Sequence, residues 1–165
     1  MSFGYDRLKQ TGDKGARKKT NNKWFETQDS ISYWEDFYKQ KIVWARLMRI
    51  SKNNFLDFPR FSIVDENMFV LDSLCFFSGK DLDILIDLLN SEYASYYFFN
   101  NIAILDNGGM QMRQQYVENI PIPKNIINRD DINSQIYNEF GFNAEEIDVI
   151  KKFLDDKKNE IQSLQ

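Results

Sequence analysis

Residues 81–100, DLDILIDLLNSEYASYYFFN, hold the strongest helical pattern in the chain. Leu82, Leu85, Ile86, Leu89, Tyr93, Tyr96 and Tyr97 recur at helical spacing, and Ile84, Leu88 and Phe98 widen the apolar arc beyond one face. The spacing predicts one helix, buried on most sides and entered through a capping box of Ser78 and Asp81. Such a helix needs a sheet or further helices to cover it, so its neighbours decide the fold class.

Upstream, KIVWARLMRI (41–50) alternates as a strand does, with Val43, Ala45 and Leu47 on one face and Trp44 and Arg46 on the other. RFSIV (60–64) and MFVLDSLCFF (68–77) flank Asp65, Glu66 and Asn67, which predicts a hairpin with those three at its tip. Downstream, IAIL (102–105) reads as a short strand and DNGG (106–109) as a turn. The stretch GMQMRQQYVENIPIPK (109–124) is polar, and Pro121 and Pro123 bar a central strand at its end. A helical patch with Ile132, Ile136 and Phe140 follows. The last helix starts at an Asn143/Glu146 capping box with Phe142 and Ile147 placed as a staple. Ile147, Ile150, Leu154, Ile161 and Leu164 then form a heptad seam interrupted at Lys157. These elements predict an α+β fold: a small twisted mixed or antiparallel sheet packed by a buried helix, with a C-terminal amphipathic helix. The expected parts are a basic flexible arm (1–23), a central domain (24–128) and a C-terminal helical spacer or tail (129–165).

The 165 residues contain no His and one Cys, which removes His-based triads, His-metal centres, zinc fingers and disulfide frameworks. Cys75 sits between Leu74 and Phe76 in an apolar strand and reads as core. Glu-x-Lys occurs nowhere. The Asp-x-Lys triplets at Asp155 and Asp156 belong to the polar face of the last helix, and the Gly108–Gly109 pair fits no phosphate-binding loop. The lone thiol and the absence of a secretory leader fit a reducing cytoplasm. No uncharged apolar run is long enough for a bilayer, so no membrane partner is expected.

Charge is uneven. Residues 1–24 hold seven basic and two acidic side chains, a balance of +5, whereas 25–128 stand at −5 and 129–165 at −4. Lys14, Arg17, Lys18, Lys19 and Lys23 therefore form a cationic cluster suited to phosphate neutralisation. Arg46, Arg49, Lys52 and Arg60 extend positive charge along the first strand and beyond it. Gln111, Arg113 and Gln114 gather planar amides and a guanidinium, groups that pair bidentately with adenine N6/N7 and guanine O6/N7 respectively.

The order of pieces carries a resemblance. GARKKTNNKWFETQDSISYWEDFYKQKIVWARL, a hairpin, LDILIDLLNSEYASYYF, and a Gly-containing polar stretch ending in ENIPIPK resemble the TaqI-like C-terminal specificity domain over about residues 12–124. That is the target recognition domain of type II DNA adenine-N6 methyltransferases and of fused type IIG restriction–modification enzymes. The signatures are KWFE…Q before the KIVW strand, LLNS within the buried helix, and the closing PIP. The resemblance implies a module that reads double-stranded DNA while a separate domain flips and methylates adenine. No Asn-Pro dipeptide occurs here, so the motif that grips the flipped base is missing. This implies no catalysis and no cofactor in this chain, with S-adenosylmethionine and Mg confined to absent catalytic parts.

By the same resemblance, Lys14, Arg17, Lys18, Lys19 and Lys23 are phosphate contacts, and Arg46, Arg49, Lys52 and Arg60 are groove or backbone contacts. Gln111, Arg113 and Gln114 are base readers by their chemistry. Trp24, Phe25, Trp44, Leu89 and Asn90 take structural roles. The expected partners are DNA and a methyltransferase or endonuclease portion in cis or trans. From a different class, the heptad seam over 144–164 suits an assembly protein that pairs with itself or docks on a methyltransferase chain.

Overall fold

The structure is a computed structural model that describes residues 8–23, 25–26, 32–51, 53–106, 108–125 and 131–163. Trp24, Lys52 and Leu164 lie outside the described residues. The chain divides into two compact units, Met1–Trp34 and Glu35–Gln165.

In the larger unit, β1 (Lys41–Ala45) is the middle strand of an antiparallel sheet, with β3 (Phe61–Val64) on one side and β4 (Leu74–Ser78) on the other. The expected hairpin between the second and third apolar runs does not form. Val43 pairs with both Ser62 and Phe76, so β1 stands between the two strands that a turn at 65–67 would have joined. A strand covered on both faces must be apolar on both, and Ile42, Val43 and Trp44 are all buried. One face, with Trp44 and Phe61, meets the helices. The other carries Val43 and, opposite it, Phe76, which packs on Phe37; that ring comes from a 3₁₀ turn at Trp34–Tyr38 and stacks on Phe69 at 5.3 Å.

Lys41 is fully buried within this strand. Its ammonium donates to the carbonyls of Asp65 and Met68 at 3.3 and 3.2 Å, so the β3–β4 connection supplies the polar partners that burial of a charge demands.

The predicted single helix is two: α1 (Leu82–Leu89) and α2 (Glu92–Asn101). Asp81 precedes α1 with φ 56° and makes no side-chain cap, so the expected Ser78/Asp81 capping box is absent. At the break, Ser91 accepts from the Ala94 N–H and caps α2, while Ser95 Oγ donates to Phe58 O at 2.9 Å. Asn90 accepts from the Phe61 N–H at 2.9 Å and donates to the Phe61 carbonyl at 3.1 Å. Its amide thus does for β3 what one residue of a further strand would do. Within LLNS (88–91), Asn90 ties the helix break to the edge strand and Ser91 caps the helix that follows. Asn90→Ala should lower stability by about 2 kcal/mol, because both Phe61 backbone groups lose a partner in a half-buried place. Urea unfolding checks this as a lower midpoint at unchanged slope. Beyond α2, the expected strand at 102–105 contributes a single bridge, from Ile104 to Met110.

The C-terminal segment packs on the same core. α4 (Ile132–Phe140) lies against α1 and α2, and α5 (Ala144–Ser163) lies against α2. The Asn143/Glu146 capping box forms with both reciprocal bonds, at 2.9 and 3.0 Å. Ile150 and Ile161 of the expected seam are buried in the core cluster, and Ile147 and Leu154 pack against it. At the seam's interruption, the Lys157 ammonium pairs with Glu160 at 2.7 Å and lies over the Phe153 ring. Cys75 is half-buried and packs on the core. Among the described residues, no helix is long and apolar enough to cross a membrane.

Candidate nucleic-acid interface

The stretch 41–50 is not one strand. At Arg46 the chain leaves the three-stranded sheet: its N–H donates to Ser73 O, and its carbonyl accepts from the Met112 N–H, each at 2.9 Å. Past the bend the strand runs on into a second, smaller sheet. In β2 (Leu47–Arg49) the side chains of Leu47 and Arg49 face out and Met48 faces in.

The partner of β2 is β5 (Gly109–Gln111), within the stretch that reads from sequence as a polar loop. Met48 opposes Met110 on the buried side, while Leu47 opposes Gln111 and Arg49 opposes Gly109 on the outer side. The ribbon is closed by Gly108, which has φ +73° and whose added Cβ would stand 2.7 Å from Ile50 O. The Ile50 N–H donates to the Gly108 carbonyl at 2.8 Å, and only glycine permits that approach.

Met112, just past the ribbon, is fully buried. The Trp44 indole donates to its carbonyl at 2.8 Å, and its N–H is held by Arg46. The core thereby fixes the backbone between Gln111 and Arg113, and both of those side chains are exposed. Arg113 donates to Gln111 Oε1 through Nε at 3.2 Å and through Nη2 at 2.7 Å. Arg113 is also the residue before α3 (Gln114–Glu118), where Gln114 Nε2 donates to Glu118 Oε1 at 2.6 Å.

Of the residues singled out from sequence, the fold therefore brings Arg46, Arg49, Gln111 and Arg113 to one ribbon, with Gln114 directly after it. Arg60 is half-buried. Its Nη2 donates to Arg49 O at 2.8 Å, which props β2 from behind, and its buried Nη1 has no hydrogen-bond partner among the described residues. Sequence reasoning misses Leu47, because unbroken alternation puts it on the face of Val43 and Ala45. It is 42% exposed on the outer face of the ribbon, opposite Gln111. Its alternation with Met48 is the available signal, once the bend at Arg46 is known.

In the smaller unit, Lys14, Lys18, Lys19 and Lys23 are exposed and Arg17 is half-buried. The Gly12 N–H donates to Arg17 O at 3.0 Å and the Arg17 N–H donates to Lys9 O at 2.9 Å, around a turn from Asp13 to Ala16. Gly12 and Gly15 both take positive φ there. The Arg17 guanidinium donates to the Glu26 carbonyl. The Lys23 N–H donates to the Glu26 carboxylate, and the Lys23 ammonium lies 5.7 Å from the centre of the exposed Phe25 ring.

Perturbed titrations belong to other elements. Hydrogen bonds from Lys39 and then Ser78 hold the Asp36 carboxyl below its usual range. Burial first, then the neighbouring Tyr97, pushes the Tyr93 phenol up to about 12, and that hydroxyl donates to Pro121 O within the PIP segment. Among the described residues, no group of three His, Cys, Asp or Glu side chains stands where it could hold a metal ion.

The described residues thus form a packed α+β body with an exposed ribbon of guanidinium, amide and apolar groups. Residues 5–122 match the TaqI-like C-terminal specificity domain, and the chain belongs to that family. It is thus a sequence-specificity domain of the kind restriction–modification enzymes carry. No curated protein and no solved structure matches it.

Proposed function

We propose that this chain is the double-stranded-DNA-reading module of a type II, IIG-like restriction–modification enzyme. Methyl transfer and cleavage, with S-adenosylmethionine and Mg, belong to a methyltransferase or endonuclease portion acting in cis or in trans in the cytoplasm. The observation that carries this reading is the β2–β5 ribbon. A two-stranded ribbon fits the major groove of B-DNA, and this one exposes Arg49, Leu47 and Gln111, followed at once by Arg113. Guanidinium and amide groups read base edges, and an exposed Leu suits the thymine methyl group. Lys14, Lys18, Lys19 and Lys23 supply sequence-independent phosphate contacts. Arg17 supports the arm's turn in addition to its charge. Arg46, Arg49 and Lys52 add contacts to the groove or backbone, and Arg60 acts through the strand that it props.

Fluorescence anisotropy of the full chain on labelled mixed-sequence duplexes tests this. Binding should weaken with salt at a slope of roughly −0.9 in log K per log salt for each neutralised phosphate. Absence of binding at low salt, or binding without a salt slope, would overturn the proposal.

A further inference from the structure

The hydrogen bonds between Gln111 and Arg113 decide which base edges this pair is able to read. A guanidinium only donates, so the Gln111 oxygen is the atom that faces it, and this orientation is set by chemistry. Two N–H groups of Arg113 converge on that oxygen, at 3.2 and 2.7 Å, and occupy both of its lone pairs. What remains is the Gln111 amide protons, the second Nη2 proton and the Nη1 pair. All of these are donors. A free glutamine offers one acceptor and one donor group and so matches adenine, which presents N7 as acceptor and N6 as donor. The locked pair has given up its acceptor, and its donors would meet the adenine N6–H₂ donor to donor.

We propose that Gln111 and Arg113 act as one donor-only reading head that selects guanine, whose N7 and O6 are both acceptors. This rests on the DNA-reading function above and reassigns Gln111 from adenine to guanine. The mounting supports it: Gln111 is held by the register with Leu47, and Arg113 follows a Met112 pinned at both its N–H and its carbonyl. Gln114 lies outside the head, because one of its amide protons is engaged by Glu118 and its oxygen leaves it an acceptor.

The test is selection by the full chain from duplexes with a randomised centre, followed by sequencing, for the native protein and for Gln111→Glu and Arg113→Ala. Both side chains are exposed, so both variants should melt as the native protein does. The expected native pool contains a guanine whose preference disappears in both variants. Gln111→Glu removes the amide donors and puts a carboxylate acceptor beside Arg113, and Arg113→Ala removes the guanidinium. Replacing that guanine by 7-deazaguanine should weaken native binding by roughly tenfold, the scale of one bidentate base contact. If the position that changes in the variants is adenine or cytosine, or if neither variant alters any position, the donor-only head is wrong while DNA reading stands. If the native chain binds no duplex at low salt, DNA reading itself fails and the head fails with it.

Discussion

Trp44→Ala should lower stability by about 3–5 kcal/mol, the cost of emptying a buried aromatic site, and lower the melting temperature by roughly 10 °C. Trp44 is 2% exposed at the centre of the middle strand, with Phe61 and Phe77 rings at 5.6 and 5.9 Å. Its removal leaves a void against both outer strands and against α1. It also takes the donor from the Met112 carbonyl, a buried group that then needs a new partner. The measurement is calorimetric unfolding beside the native chain. A decrease below about 1 kcal/mol would mean that this residue is not the centre of the core.

The same side chain separates stability from reading. Trp44→Phe keeps an aromatic ring in the core but deletes the indole N–H, so its cost should be nearer 1–3 kcal/mol, roughly that of an unpaired buried carbonyl. The missing bond is the one that fixes the backbone between Gln111 and Arg113. If Gln111 and Arg113 read bases as proposed, Trp44→Phe should also weaken duplex binding in the anisotropy assay, through this one hydrogen bond.

What was legible in the sequence was local. The Asn143/Glu146 capping box needs only four consecutive residues, and it forms as read. The apolar content of 81–100 likewise placed buried helix there. The break at Asn90–Ser91 was not legible, because both halves share one period and because Asn90 prefers the break only when the Phe61 backbone is there to receive its amide. The strand 41–50 failed for the same reason: alternation continues through Arg46, and the bend is imposed by Ser73 and Met112, which arrive from distant parts of the chain. The hairpin at 65–67 gave way to competition, since β1 offers β3 and β4 a shared apolar partner that their own turn does not. The site followed suit. Arg46, Arg49, Gln111 and Arg113 were visible as chemistry, but their meeting depends on the Leu47–Gln111 register, which joins remote parts of the chain that no window of sequence contains.

Charge reversal at Lys14, Lys18, Lys19 and Lys23, each to Glu, should reduce affinity for every duplex alike, on the order of a thousandfold at about 0.1 M salt. Each lysine–phosphate pair that is removed takes about 0.9 from the salt slope, so removing all four should flatten it by roughly 3.6. Arg17 is left in place because its guanidinium holds the Glu26 carbonyl, and replacing it would confuse a broken turn with a missing phosphate partner. The four lysines are exposed, so the variant should fold. Its relative preference among duplexes should be unchanged, because phosphate contacts set register and affinity while base edges carry the sequence. A variant that binds as tightly as the native chain, with the same slope, would remove the arm from the interface. One that weakens on some sequences only would make these lysines readers of bases or of groove shape, and the division between arm and ribbon would fall.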